Sequence, residues 1–408
     1  MIDELKYNRQ KLGVKRWLNN NGKGVLCYPT GFGKTFTALI AIKLLINKNP
    51  DAFVLISVPT EILKKQWLEK IIQNNLMLNC KVEIINTIVK QNWNVDLLVI
   101  DEIHLTPTKT YSKIFEVVQY KLILGLTGTL ERLDGKEILI KKYCPVVDKL
   151  SVEEATKNHW VSESKEYVVM LDVDLTEYNK VNQKFNSYFA FFDWKFDIAM
   201  ACATNAIYRN KYATQIGVSS KEVAAIAADW MRCMHARKNF VMSHPKKLEI
   251  AQKILKFRSD RKCITFSATI QDAKKFKNGY VLHSKQSKKV NSSVLEKFNS
   301  DKTGVLHSSK AADQGLDVDG LSVEIILSVD SSKIRKAQRK GRVIRFAPDK
   351  VAEIFTLVLK GTQEVYWFAN SVGSNYQVIN EKQLDDILNG KVVNTRQKKL
   401  HKNIDYRF

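Results

Sequence analysis

The stretch Tyr28-Pro29-Thr30-Gly31-Phe32-Gly33-Lys34-Thr35 has residue types and spacing suited to a polyphosphate. Gly31 and Gly33 let the backbone turn tightly, so that its N–H groups and a helix N-terminus surround the phosphates. Lys34 would then reach the β and γ phosphates, and the Thr35 hydroxyl would bind Mg²⁺. Further along, Asp101 and Glu102 follow the apolar run Leu97-Leu98-Val99-Ile100. Such a pair can hold Mg²⁺ through water with Asp101 and orient an attacking water with Glu102. The hydroxyls of Thr127 and Thr129 would lie beside these carboxylates and hydrogen-bond across to His104, although Gly, Thr and Asp are also ordinary turn residues. Upstream, the Gln10 amide both donates and accepts, as reading an adenine edge requires.

These side chains need elements that deliver them to one place. Val25-Leu26-Cys27 suits a buried parallel strand, and Phe36 to Leu45 has helical length with few breakers, giving strand, glycine-rich loop, helix. Phe53 to Val58, Lys81 to Ile85 and Lys121 to Leu126 read as further strands. In a doubly wound sheet the carboxylate pair emerges at the same C-terminal edge as the phosphate loop. Together these features indicate a nucleotide hydrolase.

The series Pro-Thr-Gly-x-Gly-Lys-Thr, Asp-Glu-Ile-His and Gly-Leu-Thr-Gly-Thr-Leu-Glu-Arg-Leu-Asp-Gly resembles the first lobe of superfamily 2 helicases of the DEAD/DEAH type. Within them it is most similar to the branch that includes XPB, the phage UvsW helicase and restriction-enzyme motor subunits. Tyr28 stands where that pattern usually has Gly or Ala, and Gly128 and Leu130 replace an Ala and a Pro. Gly315 and Asp317 resemble the family's fifth motif, at the cleft between lobes. Gln338-Arg339-Lys340-Gly341-Arg342-Val343-Ile344-Arg345 resembles its sixth. Arg342 and Arg345 are three apart and share a helix face, placed to act as arginine fingers on the transferring phosphoryl group.

The resemblance implies an α/β fold of two tandem RecA-like lobes, parallel sheets flanked by helices, with ATP and Mg²⁺ bound between them. We expect lobe 1 over residues 1–160, a linking strand and helical insertion over 161–245, lobe 2 over 246–373 and a basic segment over 374–408. Lys34, Thr35 and Asp101 would hold MgATP, supported by Pro29, Thr30, Gly31, Phe32 and Gly33. Gln10 would select adenine, Glu102 would activate water, and His104, Thr127 and Thr129 would couple the site to the strand-binding face. In the insertion, Phe185, Tyr188, Phe189, Phe191, Phe192, Trp194 and Phe196 read first as the core of a small helical subdomain, with base stacking as the alternative.

The composition points to the partner. Among 408 residues, 65 Lys and Arg against 42 Asp and Glu give a net charge of +23, which suits a polyanion. The charge is concentrated, with 15 Lys or Arg against 3 Asp or Glu from Arg237 to Lys289. DNA is the expected partner, single-stranded, forked or branched, with RNA left open because a motor that grips phosphates carries little base information. The six cysteines form no C-x-x-C pair, which argues against a zinc site or a disulfide framework. No membrane partner is expected. A monomer is favoured, in the cytoplasm (the host's if phage-encoded) or in the nucleus of a eukaryote. A DNA helicase is therefore expected; a duplex translocase without unwinding, an RNA helicase and an ATP-switched clamp are the rival readings.

Overall fold

The computed structural model describes residues 4–130, 135–309, 318, 320–329, 351–371 and 376–393. Helix α1 (Glu4–Asn19) opens the chain, followed by β1 (Lys23–Cys27), α2 (Lys34–Lys48), β2 (Val54–Val58), α3 (Glu61–Gln73), β3 (Cys80–Ile84) and the single turn α4 (Ile85–Ile88). Next come β4 (Trp93–Asp101), α5 (Ile114–Val117), β5 (Val118–Thr127), α6 (Glu137–Tyr143), β6 (Val146–Lys149) and α7 (Val152–Lys157). Among the described residues the first sheet has six parallel strands in the order β3-β2-β4-β5-β1-β6. Its central strands are buried on both faces, which is why they read as unbroken apolar runs.

This order positions the site. Strand β5 lies between β1 and β4, with Thr127 beside Cys27 and Leu126 beside Asp101. The loop after β1, the carboxylates after β4 and the threonines after β5 therefore share one C-terminal edge.

The second unit comprises β7 (Ser164–Leu171), α8 (Thr176–Ala190), α9 (Phe196–Thr204), α10 (Ala206–Ile216), α11 (Ser220–Met242), α12 (Pro245–Phe257), β8 (Lys262–Ser267), α13 (Ile270–Lys274), β9 (Tyr280–Leu282) and α14 (Lys288–Ser300). It continues with β10 (Gly304–Ser309), β11 (Val323–Ile326), β12 (Ala352–Leu359), α15 (Gln363–Ser371), β13 (Gln377–Asn380) and α16 (Glu381–Leu388). The sheet is again parallel, in the order β13-β7-β12-β11-β8-β10-β9. Sheet membership thus differs from the boundaries expected at 246 and 373. The strand read as a linker, β7, pairs along its whole length with β12, and β13 extends the same sheet beyond β7. The reason is burial: β12 is buried at all eight positions and needs a neighbour on each side.

Helices α8 to α11 form the helical insertion, around Phe192, Ala199, Cys202, Ala213, Val223, Ala227 and Trp230. Phe185, Tyr188, Phe189 and Phe191 pack against that core. Trp194 and Phe196 are 41% and 50% exposed. No described helix is long and apolar enough to cross a membrane.

Candidate active site

The phosphate loop is a left-handed turn at two points, Gly31 at φ 88° and Gly33 at φ 100°, where a side chain would strain the backbone. Gly33 is needed for space as well. A Cβ there would sit 2.7 Å from Gln10 Nε2. Gln10 is 3% exposed and donates from Nε2 to the Phe32 carbonyl at 2.9 Å, so part of its amide is spent on the loop itself. Lys34 Nζ folds back toward the Tyr28 carbonyl at 3.5 Å, and Thr35 lies half-buried in the first turn of α2.

Tyr28, the departure from the usual small residue, has a built environment. Its hydroxyl donates to Asp148 Oδ2 at 2.5 Å, and the same carboxylate takes Arg9 at 2.5 and 3.2 Å and also Arg16. Burial works against the Asp148 charge, but hydrogen bonds from Arg9 and Tyr28 more than offset it and hold the carboxyl below its ordinary range. Gly13 on α1 makes room: a Cβ there would lie 1.8 Å from the Tyr28 hydroxyl. Tyr28, Phe32 and Trp160 continue as an aromatic chain, with centroids 5.0 and 5.5 Å apart. The loop is thereby fixed to α1, β6 and the segment after α7.

On the other side of β5, Asp101 ends β4 at 8% exposure. Its Oδ1 accepts the Glu102 backbone N–H at 3.0 Å and its Oδ2 accepts the Trp67 indole N–H at 2.9 Å. Burial, then the neighbouring Glu102, push the Asp101 carboxyl up to about 6, while Trp67 and Lys34 pull it back. Trp67 is itself fully buried on α3, a helix begun by Thr60, whose hydroxyl accepts from Leu63 N–H.

Glu102 takes a left-handed backbone, φ 53°, which costs a non-glycine residue on the order of 1 kcal/mol. That turn aims its carboxylate at His104, with Oε2 3.3 Å from Nδ1. His104 Nδ1 is also 3.0 Å from Thr127 Oγ1. Thr127 has one hydroxyl hydrogen and spends it on the Thr129 carbonyl at 2.7 Å, so His104 carries its proton on Nδ1 and donates it. Thr129 N–H returns to the same Thr127 oxygen at 3.2 Å. The chain Glu102, His104, Thr127, Thr129 is thus continuous across the sheet edge.

The structure brings Gln10, the loop from Pro29 to Thr35, Asp101, Glu102, His104, Thr127 and Thr129 to one edge. Gly315, Asp317, Gln338, Arg342 and Arg345 lie outside the described residues. Sequence reasoning missed Trp67, Asp148 and Arg9, because a lone Trp, Asp or Arg carries no spacing signal. The donor set fits a hard divalent cation: hydroxyl and carboxylate oxygen, with Asp101 desolvated beside a second carboxylate and, among the described residues, Lys34 as the positive charge that acts on it.

Two family profiles match the chain. "Type III restriction enzyme, res subunit" matches residues 2–95 and 84–132, and "Helicase conserved C-terminal domain" matches residues 246–347. The DNA 3'-5' translocase XPB2 of Sulfurisphaera tokodaii is 27% identical over 380 residues, spanning 87% of this chain and 82% of that protein. Putative helicase 22 of a Sulfolobus islandicus filamentous virus is 23% identical over 391 residues, 84% of this chain and 62% of that one. The XPB helicase/translocase subunit of general transcription and DNA repair factor IIH from Dictyostelium discoideum is 24% identical over 74% of this chain, which matches 34% of its length. The Pyrococcus furiosus Hef helicase domain superposes with a TM-score of 0.52 over 89% of this chain and 97% of that one, at 17% identity, and shares the fold.

Proposed function

This chain belongs to the superfamily 2 helicases, and from that premise we propose that it is an ATP-driven DNA motor, coupling hydrolysis to strand separation, branch migration or translocation. The observation that carries the reading is the single sheet edge joining Lys34, Asp101, Glu102 and the His104–Thr127–Thr129 chain. Loop N–H groups and Lys34 take up charge on the phosphates. Thr35 and Asp101 would hold Mg²⁺, largely through water, and the ion would neutralise charge developing on the transferred phosphoryl group. Glu102 accepts the proton of the attacking water. Gln10, with amide valences left beyond its bond to the Phe32 carbonyl, would select adenine. Gly315, Asp317, Gln338, Arg342 and Arg345, which lie outside the described residues, would complete the site, as their match to the fifth and sixth motifs implies. Changes at Glu102 reach Thr129 through His104 and Thr127, and so reach the face where nucleic acid lies.

Translocation along duplex DNA without unwinding is the second reading, supported by similarity to the Sulfurisphaera tokodaii protein named as a translocase. The deciding experiment measures ATP hydrolysis with no nucleic acid, then with single-stranded DNA, branched DNA and RNA, at two salt concentrations. Stimulation by branched DNA that falls with salt is expected. Stimulation by RNA alone would overturn the DNA assignment, and absence of turnover in every condition would overturn the motor. A strand-displacement assay then separates unwinding from translocation.

A further inference from the structure

Along α11 the core-facing positions are Val223, Ala227, Trp230, Met234, Arg237 and Val241, a helical repeat that is apolar except at Arg237. The arginine is not an exposed residue at the margin of that face: it is 7% exposed, and its Nε is buried without a hydrogen-bond partner. The guanidinium lies over the Phe185 ring at 4.0 Å and near Tyr178 at 6.0 Å, both on α8. Among the described residues it makes no ion pair. Of the carboxylates on the two helices, Glu177 pairs with Lys180 and Asp229, two turns away on α11, pairs with Arg232. Asn182, between Tyr178 and Phe185 on the same face of α8, is buried with Oδ1 unpaired, and as a neutral amide it supplies no counter-charge.

A buried cation without an anion is costly, and aromatic stacking returns only part of that cost. Other cations gather at the same level. Burial pushes the Cys233 thiol up, and Lys184, Arg232 and Arg237 all pull it back. This is the join between the helical insertion and the second sheet, since Tyr178 also packs into the second-sheet core and meets Phe240 in a tilted ring pair at 5.4 Å. We propose that Arg237 is a preformed seat for one backbone phosphate of bound nucleic acid at the base of the helical insertion. A guanidinium whose Nε is already desolvated and whose carbon is held over an aromatic ring loses little further freedom when its remaining N–H groups take a phosphate. The proposal rests on the nucleic-acid motor reading above and adds to it a contact outside the nucleotide edge.

The test combines stability with binding. In Arg237→Met the thermal midpoint should stay level or rise, because an uncompensated charge leaves the core. Affinity for single-stranded and branched DNA should fall several-fold to about tenfold at low salt, and the slope of log affinity against log salt should shrink by about one. A lower midpoint with unchanged affinity and slope would overturn the seat and make Arg237 a structural cation. Should Arg237→Met not fold, hydrogen exchange on the unaltered protein decides: added DNA should protect α8 and α11, and unchanged exchange there would overturn the proposal. Inorganic phosphate is the control. If it stabilises the unaltered protein but not the variant while DNA affinity is the same for both, the site takes small anions and the nucleic-acid seat is wrong. If the unaltered protein binds neither DNA nor RNA, the motor reading falls as well; loss of the seat alone leaves wild-type binding intact.

Discussion

In the first lobe Asp101 and Glu102 place two like charges side by side, one of them desolvated and pushed up to about 6, the other on a left-handed backbone. In the second lobe Lys247 and Glu364 place two opposite charges in full burial, 2.5 Å apart. Further hydrogen bonds support the pair: Lys247 donates to the Leu327 carbonyl at 2.9 Å, and Glu364 accepts from Leu359 N–H at 3.0 Å. Burial lowers the lysine and raises the glutamate, and each partner's charge opposes that shift. The first arrangement keeps charge available for a ligand. The second uses its charge to tie α12 to the strand-end segments beside it. Glu102→Gln should therefore leave the fold and nucleotide binding intact while hydrolysis falls by roughly 10²–10⁴-fold. Steady-state turnover beside nucleotide titration measures both, and wild-type turnover would remove Glu102 as the base. Lys247→Met should act in the opposite way, costing about 3–5 kcal/mol in denaturant unfolding, with much of it recovered in Lys247→Met/Glu364→Met.

The contrast also marks what could be read from the sequence. Lys34, Thr35, Asp101 and Glu102 were legible because strand, loop and helix follow one another locally, and the sheet order then brings distant strand ends together. The function of Tyr28 was not, since it depends on Gly13 and Asp148, contributed by a different helix and an edge strand. Trp67 reaches Asp101 only because β2 lies beside β4, a pairing that no local pattern encodes. Likewise the apolar run of β7 reads as a strand, but its partner β12 is far away in sequence, so local pattern leaves it a link between lobes. Arg237 was visible as charge, and only its burial separates it from the basic residues around it.

A second buried group in the second lobe sharpens the comparison with pH. His307 lies between Thr265 and the Asn278 carbonyl, both at 2.8 Å, and stacks on Phe276 at 4.1 Å. A carbonyl can only accept, so Nε2 donates and Nδ1 accepts the Thr265 hydroxyl, which suits a neutral ring. Burial pushes its pKa down to about 4 from the ordinary 6.5. The unfolded chain therefore binds a proton over that window while the folded one does not. Stability from this group is complete above about 6.5 and is lost as pH falls toward about 4, on the order of 3 kcal/mol in total. Denaturant unfolding across pH 4 to 7 should show this slope, reduced in His307→Asn; an equal slope in both proteins would assign it to other groups.

The smallest effect tests whether the phosphate loop's unusual first residue is packed as a unit with α1. Gly13→Ala places a methyl at the position of the Tyr28 hydroxyl, so the loop or α1 must shift, costing about 1–3 kcal/mol. Tyr28→Phe alone removes a hydrogen bond to the buried Asp148 carboxylate and should cost about 1–2 kcal/mol, while Arg9 and Arg16 keep that carboxylate paired. Combined, the two changes relieve each other: without the hydroxyl, the nearest atom to the new methyl is about 3 Å away, the limit of what a small adjustment absorbs. The double variant should therefore be more stable than the sum of the single effects predicts, by about 1 kcal/mol, and nucleotide affinity should follow the same order. Strict additivity in both measurements would mean that α1 moves away from the loop freely, and that Tyr28 is held by Asp148 and the aromatic chain alone.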